Sequence, residues 1–227
     1  MRAKRKAILV LLGVVLLAVT IPVFKHLQAE LVPAQEAQAA PAGRTDQASL
    51  RAILAKKGIP SPIPNLWILV DKSDHTLSLF SGDTWLKSYH VELGDGGWGD
   101  KRVAGDHRTP EGRFYVCQRT VISPPDYYLG SRWLRLSYPN AEHARRGLAQ
   151  GLIDQSTYNA IMRALAYRAV PPQYTALGGG IGIHGGDIPS FSRDWTWGCV
   201  GMSNRDVEEI YDYVGIGTQV IIKPQTA

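Results

Sequence analysis

The stretch Trp67-Ile-Leu-Val-Asp-Lys-Ser-Asp-His-Thr-Leu-Ser-Leu-Phe80 decides the architecture of the chain. Its two ends are short apolar runs with strand character, and Lys72-Ser-Asp-His75 between them suits a tight turn. A third run at 85–93 follows the turn Ser81-Gly-Asp83. A glycine-rich loop at 94–105 then leads through Thr109-Pro-Glu-Gly112 to a fourth strand-like run at 113–121. Four consecutive short strands predict a β-rich meander rather than βαβ repeats.

Downstream the period changes. Asn140 caps a helix over 141–150 that stops at Gly151, and Asp154 caps a second. On the second, Tyr158, Ile161, Met162 and Leu165 recur at three- and four-residue spacing, the mark of a core-packing stripe. Pro171-Pro172 and Gly178-Gly-Gly180 precede a strand at 181–184, Asn204 caps a helix to about residue 214, and 218–223 closes the fold as a strand. No repeat is evident. The fold class expected is β-rich α+β with helices inserted late.

Upstream of the meander the chain is different in kind. Residues 29–44 read as an Ala/Pro/Gln linker, followed by a short helix that Asp46 can cap and Gly58 with Pro60 ends, with Leu50, Ile53 and Leu54 on one face. Before the linker, Arg2, Lys4, Arg5 and Lys6 precede 18 uncharged residues at 7–24. That run is long for a secretory signal and short for a spanning helix. The small-x-small site Ala37-Gln-Ala39 lies far beyond it, which favours an uncleaved anchor over a cleaved signal. Basic residues ahead of the run keep the N-terminus cytoplasmic and send the rest across the membrane, into the periplasm or outer cell envelope. The expected organisation is therefore an anchor or signal segment at 1–28, a linker with a short helix at 29–64, and a compact domain at 65–227.

Charge follows the same division. Within the first 30 residues five basic side chains against Glu30 account for +4 of the formal +5, so the compact part is nearly neutral and offers no nucleic-acid-binding face. The chain has two cysteines, which an oxidising compartment would allow to pair. Their settings differ. Cys117 sits inside a strand-like run, whereas Cys199 sits in the glycine-flanked turn Trp197-Gly-Cys-Val-Gly201, where a reactive thiol is presented.

A cysteine nucleophile needs a base within hydrogen-bond reach, an acceptor that fixes the base's tautomer, and donors for the charge developing on the attacked oxygen. The segment from His184 to Cys199 offers all three. His184 ends an apolar strand; Gly185 and Gly186 let the backbone bend to offer a carbonyl to its ring; Gly198 permits a sharp turn in which N–H groups of Thr196, Trp197, Gly198 and Cys199 can form an oxyanion hole. Asp187 and Asp194 can orient His184, although a loop-capping role suits them better. Ser192 and Ser203 have no base motif beside them. His75, His90, His107 and His143 lack ligand-like spacing and read as surface or turn residues, and Trp195 and Trp197 as partly core.

With these residues in view the chain resembles the L,D-transpeptidase family with the YkuD-type catalytic domain. The resemblance rests on His184-Gly185 and Thr196-Trp-Gly-Cys-Val200, continuing to Met202, Asn204 and a helix; Thr109-Pro-Glu-Gly112, the meander at 68–93 and Gly217-Thr-Gln-Val220 extend it over about residues 65–224. It implies a β-sandwich-like catalytic domain in which Cys199 attacks the carbonyl of an L-centre, commonly meso-diaminopimelate, in a peptidoglycan tetrapeptide stem. D-Alanine leaves, and an amine from a second stem or a lipoprotein captures the thioester. His184 is then the base, supported by the carbonyl of Gly185 or Gly186, and no metal or organic cofactor is implied. The chain departs from many members in having Trp197 where they have histidine and Gly201 where they have arginine, at positions that face substrate, so the acceptor stays open. Helices at 140–167 occupy the place of a lid by analogy. A hydrolase or L,D-carboxypeptidase on the same acyl-enzyme, a zinc peptidase using His184, Asp187 and another histidine, and a non-catalytic wall-binding module are the competing readings.

Overall fold

A computed structural model describes residues 48–186 and 193–224. The segment at 1–28 and the linker up to residue 47 lie outside them, and among the described residues no helix is long and apolar enough to cross a membrane. The elements run α1 (Leu50–Lys57), β1 (Leu66–Asp71), β2 (Thr76–Ser81), β3 (Thr84–His90), β4 (Gly112–Asp126), β5 (Gly130–Leu136), α2 (Ala141–Ala149), α3 (Gln155–Ala166), β6 (Gly182–His184), β7 (Val200–Gly201), α4 (Asn204–Tyr211) and β8 (Gln219–Lys223).

The sheet is mixed and open, in the order β3-β2-β1-β8-β4-β5-β6-β7. The expected meander holds for β1, β2 and β3, which pair antiparallel in sequence order. It ends there. The C-terminal strand β8 inserts parallel to β1, and β4 pairs with β8 rather than with β3. A strand with neighbours on both sides and cover on both faces needs apolar residues throughout, which is why β1 reads Leu-Trp-Ile-Leu-Val rather than alternating.

Strand β4 joins the two halves of the sheet. Residues 112–115 pair with β8, the register shifts between Val116 and Gln118, and the remainder pairs with β5. One apolar cluster draws on both halves, from Ile68, Leu77 and Val220 to Leu134, Ile183 and Val200. This is the β-rich α+β arrangement that the sequence implies.

Local chemistry sets the helix ends. Ser49, not Asp46, caps α1 by accepting from Ala52 N–H, and Gly58 closes it at φ 66°. Its Leu50 and Leu54 belong to the main core, and Leu50 N–H donates to Glu209 at 2.7 Å. Asn140 and Asp154 cap α2 and α3 as their types suggest. Of the α3 stripe, Ile161 is fully buried, with Tyr158 and Leu165 packed beside it, in a separate small cluster with Ala144, Ile153 and Leu177. The cap of α4 is Ser203 rather than Asn204, because the Asn204 carbonyl oxygen is already held by Ser131 N–H at 2.8 Å.

Two of the histidines read as surface or turn residues are buried, His143 on α2 and His75 in the β1–β2 turn. His143 lies between Asn140 and Asp100, and Asp100, although burial alone would raise its pKa, is held well below the usual carboxylate range by His143, Glu111 N–H and Arg146. These bonds tie α2 to the glycine-rich loop. His75 is taken up with the site below.

Candidate active site

His184 stands at the end of β6, between β5 and β7, opposite Trp133 on one side and Gly201 on the other. A side chain at Gly182 would place its Cβ 2.7 Å from the Trp133 ring, so glycine there lets the indole lie against the imidazole at 5.8 Å. The His184 ring is fully buried. Its Nδ1 lies 2.6 Å from the Gly185 carbonyl oxygen. A carbonyl only accepts, so Nδ1 carries the proton and Nε2 presents a lone pair. That Nε2 has no hydrogen-bond partner among the described residues. Of the two glycine carbonyls anticipated beside the ring, that of Gly185 is the one bonded to Nδ1.

Gly185 is itself clamped. A Cβ at residue 185 would sit 2.3 Å from Asn204 Oδ1, and one at Gly130 would sit 2.2 Å from the same atom and 2.5 Å from the Gly185 carbonyl carbon. Asn204 Oδ1 thus packs closely against both Gly130 and Gly185 while it accepts from Ser131 N–H.

The turn before Cys199 is pinned from two sides. Thr196 Oγ1 donates to the Cys199 carbonyl at 2.7 Å and accepts from Gly198 N–H at 3.2 Å. Thr109, from the Thr-Pro-Glu-Gly motif, donates to the same carbonyl at 3.4 Å and accepts from Gly94 N–H at 2.8 Å. Gly198 has φ 112°, and a Cβ there would meet the Arg108 carbonyl at 2.7 Å, so both conformation and space require glycine. The N–H groups of Thr196, Trp197 and Gly198 are committed to Leu93 O, Tyr128 Oη and Thr196 Oγ1. Of the four proposed oxyanion donors only Cys199 N–H lacks an internal acceptor among the described residues.

Cys199 and His184 are both electrically neutral in this arrangement. Cys199, 6% exposed, donates its thiol to the Gly180 carbonyl at 3.4 Å rather than to the imidazole. Burial pushes its pKa up to about 11, against smaller lowering effects from Gly182 N–H, Lys101 and Arg135. Burial pushes His184 down to about 4, only partly countered by its bond to Gly185. A neutral thiol thus precedes β7, and a neutral imidazole with a free lone pair ends the adjacent strand β6.

An aromatic wall surrounds the pair. Tyr128 and Trp195 face the His184 ring at 5.6 Å each. Trp197, expected to be partly core, is 64% exposed, held between His107 at 5.8 Å and Tyr128 at 5.2 Å. Its indole is an open platform two residues before Cys199. Gly186, with φ 148°, passes beneath Trp195, whose ring a Cβ would meet at 2.8 Å.

A family model for the L,D-transpeptidase catalytic domain matches residues 65–222, which include every one of these groups. The chain belongs to that family. It is similar to YafK of Escherichia coli, a candidate L,D-transpeptidase, at 28% identity over 153 residues, covering 66% of this chain and 47% of YafK. The chain therefore spans about half the length of the relative it matches. Among solved structures it is similar in fold to a variant of Pgp2 from Campylobacter jejuni, a helical cell shape determining protein (TM-score 0.50, 20% identity, 78% of this chain and 55% of that one). Bd1075 of Bdellovibrio bacteriovorus is another such structure (TM-score 0.48, 23% identity, 74% and 51%).

Within this L,D-transpeptidase domain one of the two departures from the family pattern, Gly201, has a physical cause. A Cβ at Gly201 would meet Trp195 at 2.9 Å and Thr196 at 3.1 Å, so no larger residue fits while that indole is in place. Trp197 replaces a titratable ring with an apolar one. Cys117 and Cys199 are both free thiols. Burial lifts Cys117 to about 11 as well, and its Sγ donates to Arg135 O at 3.5 Å.

Among the described residues the side chains close enough to hold a metal ion are His75, Glu92 and Asp194, a group without His184. His75 Nε2 lies 2.8 Å from Asp194 Oδ1, and Arg193 donates to His75 Nδ1 at 2.7 Å. Arg193 Nε also donates to His75 Nε2 at 3.4 Å, so both ring nitrogens are engaged by neighbouring side chains. The group instead fastens the β1–β2 turn to the loop before Cys199, with Asp194 capping Leu93 N–H rather than orienting His184. Asp187 and Ser192 lie outside the described residues. Helices α2 and α3 pack on Leu177 and, through Arg146, on Asp100 and Lys101.

Sequence reasoning did not single out Tyr128, Trp133, Thr109 as an individual donor, or Asn204 as a clamp. Trp133 was detectable in principle, since an isolated Trp in Arg-Trp-Leu-Arg-Leu is a strand signal; the others act through partners remote in sequence.

Proposed function

We propose that the chain is a cysteine-dependent L,D-transpeptidase acting on peptidoglycan stem peptides in the cell envelope. The observation that supports this best is the fixed tautomer of His184: the Gly185 carbonyl holds Nδ1–H, leaving Nε2 as a buried lone pair on β6, the strand paired with the β7 segment that follows Cys199. The reaction requires the Cys199 side chain to turn away from Gly180 so that Sγ meets Nε2. As Sγ bonds the donor carbonyl carbon, His184 takes the thiol proton, and the oxyanion accepts from Cys199 N–H. Collapse breaks the amide C–N bond, and His184 returns the proton to the departing D-alanine amine. A second amine then attacks the thioester, gives its proton to His184, and expels the thiolate, which takes that proton back. Trp197 and the neighbouring Tyr128 line the approach of the stem.

The neutral resting pair suits this chemistry, because the charge separation is created only once the donor excludes water. The basic cluster and apolar run at the N-terminus support an extracytoplasmic location, with the segment anchoring the domain in the membrane. Incubation of the protein with tetrapeptide muropeptides and analysis of products by mass spectrometry tests the acceptor. Cross-linked dimers are the expected product; tripeptides alone would assign the protein to the carboxypeptidase reading. A protein with Cys199→Ala that retained full turnover would end the thiol mechanism altogether.

A further inference from the structure

Strands β5 and β6 place three side-chain positions on one face. Cross-strand partners in an antiparallel pair share a face, and so do residues two apart on a strand. Trp133 is paired with His184 and Arg135 with Gly182, so Arg135 extends on the catalytic face, one step from the histidine. Its guanidinium lies 5.4 Å from the Trp133 ring centre. Opposite it, Gly182 contributes no side chain, so nothing from that position covers the guanidinium.

The same residue reaches the nucleophile's resting place. Gln173 Oε1 accepts from Arg135 Nη1 and from Gly180 N–H, each at 2.8 Å, and the Gly180 carbonyl receives the Cys199 thiol. The positive charge of Arg135 is felt at the thiol.

Its charge is unanswered. Arg135 donates to two neutral amides, Gln118 Oε1 at 2.7 Å and Gln173 Oε1, and has no carboxylate partner among the described residues. The neighbouring buried cation, Lys101, is neutralised by Asp106 at 2.6 Å. Lys72 and Arg146 are likewise paired, with Glu111 and Asp100. A half-buried guanidinium held in orientation by two glutamines, with Nη2 uncommitted among the described residues, is arranged to receive an anion.

We propose that Arg135 is the carboxylate-binding residue of the site and selects acyl donors that carry a free carboxylate close to the carbonyl attacked by Cys199. This rests on the transpeptidase reading above. In a tetrapeptide stem two carboxylates flank that carbonyl, the side-chain carboxylate of the diamino acid and the terminal carboxylate of the departing D-alanine. Both offer the planar oxygen pair that a guanidinium fork fits.

The test uses the full chain and three donors: the tetrapeptide with both carboxylates free, the same peptide with the side-chain carboxylate converted to a carboxamide, and the same peptide with a C-terminal carboxamide. Acyl-enzyme formation is followed by intact mass for the natural protein, Arg135→Gln and Arg135→Lys. Loss of a charge-assisted pair predicts a drop of about ten- to a hundredfold in kcat/KM. One of the two carboxamides should show it with the natural protein. Arg135→Gln should show it on the free donor, with no further loss on that carboxamide, and Arg135→Lys should recover part of it. Equal loss on all three donors in Arg135→Gln, or indifference of the natural protein to both carboxamides, overturns the proposal while leaving the transpeptidase reading intact. Absence of any acyl-enzyme on the natural protein overturns both.

Discussion

The resting state of Cys199 makes a quantitative prediction for alkylation by iodoacetamide. Burial raises the thiol from its ordinary 9.0 to about 11, and its hydrogen bond goes to the Gly180 carbonyl, not to His184. Two units of pKa leave about a hundredfold less thiolate at neutral pH than an ordinary cysteine has. The rate of modification, read at Cys199 by peptide mapping, should therefore rise about tenfold per pH unit from 7 and keep rising past 9. His184, pushed down to about 4 and without a bond from the thiol, is neutral across that range. His184→Gln should accordingly shift the curve by no more than about twofold while abolishing acylation by a peptide donor. A rate plateau between pH 6 and 8 that disappears in His184→Gln would refute the reasoning, because it is the signature of a preformed thiolate–imidazolium pair.

Three further outcomes follow from the same geometry. Gly198→Ala forces a Cβ to 2.7 Å from Arg108 O at φ 112°, so it should lower unfolding free energy by about 2 kcal/mol or more in urea titrations and reduce acylation further. Asn204→Ala removes the acceptor of Ser131 N–H and the clamp on Gly185; a stability loss of about 1–3 kcal/mol is expected by thermal or chemical unfolding, with acylation falling more than stability explains. His184 contributes to stability at neutral pH, since the unfolded state takes up its proton near 6.5 and the folded state only near 4. Unfolded binding of the extra proton means that stability falls as pH drops through this window, by about 2 kcal/mol between pH 7.5 and 5, and His184→Gln should remove that part of the pH dependence.

How much of this was legible in the sequence depended on distance along the chain. The runs forming β1, β2 and β3 carry their own periodicity and a turn, so the first half of the sheet reads directly. Strand β5 does not. Its one face packs Leu134 and Leu136 into the core while the other carries Trp133 and Arg135 against the site, so no apolar-polar alternation survives. The insertion of β8 beside β1 is a pairing across some 150 residues, for which a local pattern holds no signal. His184 and Cys199 were recognisable because their glycines are needed locally, for the bend and the positive φ. Asn204 and His75 were not, because each finds its partner 73 and 119 residues away, and a side chain's burial is then decided by the fold rather than by its neighbours. The cap of α4 shifted by one residue for the same reason: Ser203 and Asn204 are comparable caps in isolation, but the Asn204 oxygen is claimed by β5.

The most direct test of the account is the intact mass of the protein after exposure to a tetrapeptide donor, for the natural chain and for Cys199→Ser. The account predicts a mass increase equal to the donor less D-alanine on the natural chain, labile to hydroxylamine as a thioester is, and no such labile adduct on Cys199→Ser. A hydroxylamine-labile adduct of equal yield on both proteins would place the nucleophile elsewhere, and its absence from the natural chain would leave Cys199 and His184 without the chemistry assigned to them.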